Sequence, residues 1–218
     1  MTGVINAFLL TYAALFPIAN PIGSASIFFA LTQHLTPEAR QDLVQRIAIN
    51  SFGLLIGSIF LGSYVLQFFG ISLPIVRIAG GLVVVAFTWK MLNDDSQATE
   101  KTAAETGQRD DPHPGVDAFY PLTMPITVGP GTIAVAVALG SERPNGESDW
   151  PALLKLAGGA VAGAVALVAT IYVCYRFADR VVVALGPAAM NVMTRLIAFI
   201  LLCVGIQILW TGIYALIP

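Results

Sequence analysis

The sequence predicts an all-α membrane protein: six transmembrane helices forming two inverted-topology three-helix repeats, with helices 1 and 4 broken. Three observations lead there. Only 11% of the 218 residues are charged and 56% are hydrophobic, with a mean hydropathy of +0.78; a soluble domain carries about 25% charge. Six runs, at about 4–31, 44–69, 71–92, 118–140, 152–175 and 193–217, approach or exceed the roughly 20 apolar residues that a span needs. A proline-punctured motif also occurs twice. It reads Phe16-Pro17-Ile18-Ala19-Asn20-Pro21-Ile22-Gly23 and, at an offset of 104, Tyr120-Pro121-Leu122-Thr123-Met124-Pro125-Ile126-Thr127, continuing to Gly129-Pro130-Gly131.

The first run has no Lys or Arg ahead of it and is too long for a secretory h-region, so it is expected to be a retained span. Pro17 and Pro21 break it, because each proline removes a backbone donor and frees a carbonyl one turn back. Thr36-Pro37-Glu38 opens the second helix, with Thr as N-cap and Pro as the first helical residue. Gly70-Ile71-Ser72-Leu73-Pro74 separates spans two and three. Pro121, Pro125 and Pro130 break span four. Pro144-Asn145-Gly146 is a turn before span five, and Gly186-Pro187 opens the approach to span six. Trp89, Trp150 and Trp210 fall near span ends, as an aromatic belt requires.

Residues 93–117 form an acidic linker (Asp94, Asp95, Glu100, Glu105, Asp110, Asp111 and Asp117 against Lys101 and Arg109) that divides a first repeat, 1–92, from a second, 118–218. Gly53-xxx-Gly57 is matched by Gly159-xxx-Gly163, and Arg77-Ile-Ala-Gly-Gly more weakly by Arg195-Leu-Ile-Ala-Phe. Small residues one turn apart let membrane helices approach closely. Three spans per repeat is an odd number, so the second repeat enters from the opposite face. Arg40, Arg46, Lys90, Lys101, Arg109, Arg176, Arg180 and Arg195 lie on one side, and Arg77, Arg143 and Lys155 on the other. This excess places the linker in the cytoplasm and both termini outside.

No Asp or Glu lies deep in a span, and no Ser–His or Cys–His pair is available there, so enzyme chemistry is not expected. Cys174 and Cys203 sit in apolar runs as small hydrophobes, and His34 and His113 fall in polar loops, leaving no metal site and no cofactor. The net charge of −2 and the absence of a basic stripe exclude nucleic acid. What remains is neutral polarity at the breaks. Irregular backbone in hydrocarbon is tolerated where it lines a cavity, and helix N-termini beyond the prolines would suit a carboxylate. Carbonyls freed by Pro21, Pro125 and Pro130 would receive an ammonium. The candidate substrate-binding residues are Asn20, Gly23, Thr123, Thr127, Gly129, Gly131 and Thr132. Asn20 has the alternative of satisfying a freed carbonyl, and Ser26 and Thr132 that of bonding back to their own helix.

These motifs together, with Gly129-Pro130-Gly131-Thr132-Ile133, resemble the MarC family over nearly the whole chain. Ser24 and Ser26 stand where many relatives carry Asn and Pro, which makes the first break the milder one. The resemblance implies a bacterial inner-membrane protein with an internal duplication and, for some members, transport of small neutral amino acids. The expectation is therefore a secondary transporter of glycine- or alanine-like substrates, working by alternating access in the lipid bilayer. Its coupling ion, proton or sodium, and its oligomeric state are left open. The alternatives are export of another small metabolite or drug, and a non-transporting scaffold that recruits a partner through the linker.

Overall fold

The computed structural model describes residues 2–93, 117–141 and 150–217, and all of its regular structure is helical. The helices are α1 Thr2–Ala19, α2 Pro21–Thr32, α3 Pro37–Phe68, α4 Leu73–Asn93, α5 Ala118–Thr127, α6 Pro130–Ser141, α7 Trp150–Arg176 and α8 Ala178–Tyr214. Most of the linker, and the Pro144-Asn145-Gly146 turn, lie outside the described residues.

Local chemistry sets the boundaries. Thr36 caps α3, its Oγ1 accepting from the Ala39 N–H at 3.3 Å, and Pro37 takes the first helical position. The helix ends in a Schellman motif: Gly70 has φ 67, its N–H bonds to the Gln67 carbonyl, and the Ile71 N–H bonds to that of Leu66. The prolines divide the first and fourth apolar runs. The axes of α1 and α2 meet at 40° across Asn20, and those of α5 and α6 at 70° across the segment between Thr127 and Pro130. α5 is π-wound, with non-helical backbone at Tyr120 and Met124, each followed by a proline in a cis peptide. The run predicted as span six begins earlier than expected. α8 runs from Ala178 to Tyr214 as two helical segments that meet at a kink, where Gly186 (φ 69, ψ 164) leaves helical geometry. Pro187 disfavours an α conformation just before it, and only glycine readily takes the one found there.

Among the described residues, α3 and the Leu153–Arg176 part of α7 are each long and apolar enough to cross a membrane, and counting each bent pair as one span brings the number to four. Leu73–Ala86 of α4 and Ala198–Tyr214 of α8 are shorter apolar stretches. The outward faces are apolar too, with Leu61 and Phe68 of α3, Leu154 of α7 and Phe199 of α8 more than half exposed.

The core gathers Leu15, Phe28, Ile47, Leu55, Leu122, Leu167, Ile171 and Tyr175. Packing runs mainly between the two halves of the sequence, and it is reciprocal. α1 and α2 lie on α7 while α5 and α6 lie on α3; α4 meets α6 while α2 meets α8; α3 meets α7 and α4 meets α8. Glycines permit the closest approaches. A Cβ on Gly159 would stand 2.5 Å from that of Ala7, and one on Gly163 2.8 Å from the Cβ of Thr11. Gly140 of α6 lies directly on the Ile59 backbone of α3. Among the described residues, the close packing expected of both Gly-xxx-Gly pairs is seen for the second. Gly53 and Gly57 have none of the described residues within 4 Å of a built Cβ.

Candidate functional site

The first break is closed by its own side chains. Asn20 adopts φ 44, a left-handed conformation that asparagine tolerates better than most residues. Its Oδ1 accepts from the Gly23 N–H at 3.1 Å, so Asn20 is the N-cap of α2. A Cβ on Gly23 would run into that amide, 2.9 Å from Cγ. Asn20 and Gly23 therefore form one capping unit. Ser24 lies within reach of three carbonyls, those of Asn20 (2.9 Å), Ala19 (3.1 Å) and Ile126 (3.3 Å). The last is the carbonyl that Pro130 leaves without its helical donor. A serine of the first break thus reaches across to the second.

The wide turn of α5 is satisfied by threonines. Thr123 Oγ1 donates to the Ala118 carbonyl at 2.7 Å and Thr127 Oγ1 to the Leu122 carbonyl at 2.6 Å, each five residues back. Thr127 also lies 2.7 Å from the Tyr175 hydroxyl. Each hydroxyl has one proton. Thr127 commits its own to Leu122, so Tyr175 is the donor to Thr127. Back-bonding was the alternative for Ser26 and Thr132, yet neither does it. The buried Ser26 Oγ has no partner, and Thr132 makes no hydrogen bond through its side chain among the described residues.

Beside the second break lies a cavity of about 90 Å³. Residues 125–127 and 129–132 form one wall, and Ile18 of α1, Val83, Val84 and Thr88 of α4 and Leu201 of α8 form the others. Thr127, Gly129, Gly131 and Thr132 from the predicted set line it, whereas Asn20, Gly23 and Thr123 do not. Of the break prolines, Pro125 and Pro130 are in the lining, and Pro17, Pro21 and Pro121 are not. Gly131 leaves the cavity open only because it lacks a side chain, since a Cβ there would stand 2.7 Å from Val84 Cγ2.

α6 begins at Pro130, so the N–H groups of its first turn, at Gly131 and Thr132, have no acceptor within their own helix. They bring the positive end of the helix dipole to the cavity wall. Among the described residues, no ionisable side chain lines the space. A ligand here would meet amide N–H groups, backbone carbonyls, hydroxyls and aliphatic walls. No group of three or more His, Cys, Asp or Glu among the described residues is arranged to hold a metal.

Tyr175, Thr88, Val83 and Val84 were not singled out from the sequence. Thr88 Oγ1 donates to the Val84 carbonyl at 2.6 Å. Tyr175 stands 48 residues from Thr127 in an apolar run, where nothing local marks its hydroxyl as a partner of the break.

The chain matches the family described as "MarC family integral membrane protein" over residues 5–217. Among curated proteins, "UPF0056 inner membrane protein MarC" of Salmonella typhimurium is 31% identical to it, across 100% of this chain and 98% of that protein. The protein of the same name from Escherichia coli (strain SMS-3-5 / SECEC) is 29% identical over the same shares. No solved structure matches the chain. The chain belongs to the MarC family of integral membrane proteins.

Proposed function

We propose that this protein is a secondary transporter of small neutral zwitterions, of glycine or alanine size, across the bacterial inner membrane. The observation that carries this reading is the cavity at the second break. It is lined by the backbone of the break and aliphatic side chains, with no ionisable side chain among the described residues. The first-turn N–H groups of α6 suit a carboxylate, and the carbonyls of the break suit an ammonium. Drug-sized ligands occupy sites of about 300–1,000 Å³. At about 90 Å³ the cavity favours a small solute over a drug.

Six spans in two inverted halves are the architecture assigned to this mechanism, with both termini periplasmic and the linker cytoplasmic. The reciprocal packing supports it, since the main contacts between halves have counterparts under exchange of the repeats. The inner-membrane location is supported by the names of the relatives. Alternating access would then move one repeat against the other around the break.

The test is flux into liposomes containing the purified protein. A panel of labelled amino acids is offered under imposed proton and sodium gradients, and glycine or alanine is expected to move faster than leucine or phenylalanine. If nothing in the panel moves, the transport reading is wrong. A scaffold acting through residues 93–117 would instead lose its role when that segment is replaced by a neutral one, whereas the flux of a transporter would survive.

A further inference from the structure

We propose that Tyr175 is a positioning residue that latches the two broken helices to each other and ties their separation to the contents of the cavity. The consequence for flux rests on the transport reading; the latch itself does not.

The tyrosine is 1% exposed and lies near the end of α7, the helix on which α1 and α2 pack. Its ring stacks on Phe28 of α2, with centroids 4.7 Å apart and planes 14° from parallel. Its hydroxyl donates to Thr127 of α5 at 2.7 Å, and Ser24 of α2 lies beside it. One side chain therefore holds α2 by its ring and α5 by its oxygen. Ser24, whose single proton is shared among three carbonyls, has that of Ile126 in α5 as its farthest acceptor, at 3.3 Å.

Packing alone does not call for this residue. Phenylalanine would fill the same space and stack on Phe28 equally well, and a buried tyrosine hydroxyl must find a partner. The partner it finds is itself special. Thr127 lines the cavity, and its own proton is already committed to the widened turn at Leu122. A solute pressing on Thr127 therefore acts on the acceptor of the Tyr175 bond. Hydrogen bonds between helices in membranes are individually weak, so the latch can open without unfolding the bundle. In the structure described here both breaks are held, the state in which the latch is closed.

The decisive measurement is amide hydrogen exchange in lipid nanodiscs, comparing the wild type with Tyr175→Phe and Thr127→Ser. Tyr175→Phe keeps the ring stack and deletes only the donor. Exchange over residues 126–133 should quicken by about fivefold or more in that variant, while α3 and α4 exchange as in the wild type. Thr127→Ser keeps the accepting oxygen and should stay within about twofold of the wild type. In liposomes, Tyr175→Phe should change maximal flux by about threefold or more, in either direction, with half-saturation within about twofold of the wild-type value.

Unchanged exchange over 126–133 in Tyr175→Phe would overturn the latch, and so would an acceleration spread evenly through α3, α4 and α8. A wild-type protein that moves no solute would sink the transport reading alone, and the exchange result would still decide the latch.

Discussion

Gly131 and Val84 face each other across the cavity so closely that a single methyl group decides how much space remains. Gly131→Ala is expected to lower flux by about tenfold or more, the equivalent of ~1.4 kcal/mol. Val84→Ala in the same chain should restore much of it and, alone, should shift preference toward larger side chains; competition among labelled amino acids reads both outcomes. Gly23 is constrained in a different way, by the Asn20 amide folded over it. Gly23→Ala should expel that cap and cost about 1 kcal/mol in thermal unfolding. Gly53→Ala, with open space around it, should leave stability equal or slightly raised. At this scale the sequence was only partly legible. Sequence alone offers Asn20 two roles, ligand or partner of a freed carbonyl, and in the structure its oxygen instead accepts from the Gly23 N–H. The conformation that makes it a cap depends on how the chain turns, and residue identity alone does not reveal that. Tyr175 was illegible for another reason, because its partners come together only when α7 is laid against α2 and α5.

The broken helices were the most legible elements, because a missing donor is a property of proline itself. Their inequality was also readable: Ser24 and Ser26 predicted a milder first break, and the bends are 40° and 70°. α8 was less legible. Gly186-Pro187 does interrupt the helical backbone, but a further helical segment from Ala178 precedes it. Pro125 lines the cavity and sits within the widened turn. Pro125→Ala returns an N–H to the break and allows the segment to rewind toward an α-helix, which would close the cavity wall. Flux should fall by about tenfold or more, with the protein still present in the membrane fraction at the wild-type level. Unaltered flux would mean that the break does not shape the site.

Duplication showed at the scale of the whole chain as motifs repeated in order, but the partners of each helix did not. Apolar faces that pack within a half and faces that pack between halves have the same periodicity. The glycine pairs illustrate this. Gly159 and Gly163 support α1, so Gly163→Leu should separate α1 from α7 and cost ~1–3 kcal/mol or more. Gly57→Leu, with none of the described residues within 4 Å of its Cβ, should be tolerated. Detergent thermal stability of the two variants, measured side by side, tests this difference. The reciprocal contacts also bear on energetics. In a protein made of two interchangeable halves, facing one side of the membrane and facing the other are the same arrangement with the halves' roles exchanged. Perfectly equal halves would populate both arrangements equally. Here one hinge is bent by 40° and held by an asparagine cap, while the other is bent by 70° and held by threonines on a widened turn. Exchanging their roles does not restore the same molecule. On the proposed alternating-access reading, the resting population would be weighted toward one face before any gradient or solute acts, with the side chains at positions 20, 24, 123 and 127 setting that weighting.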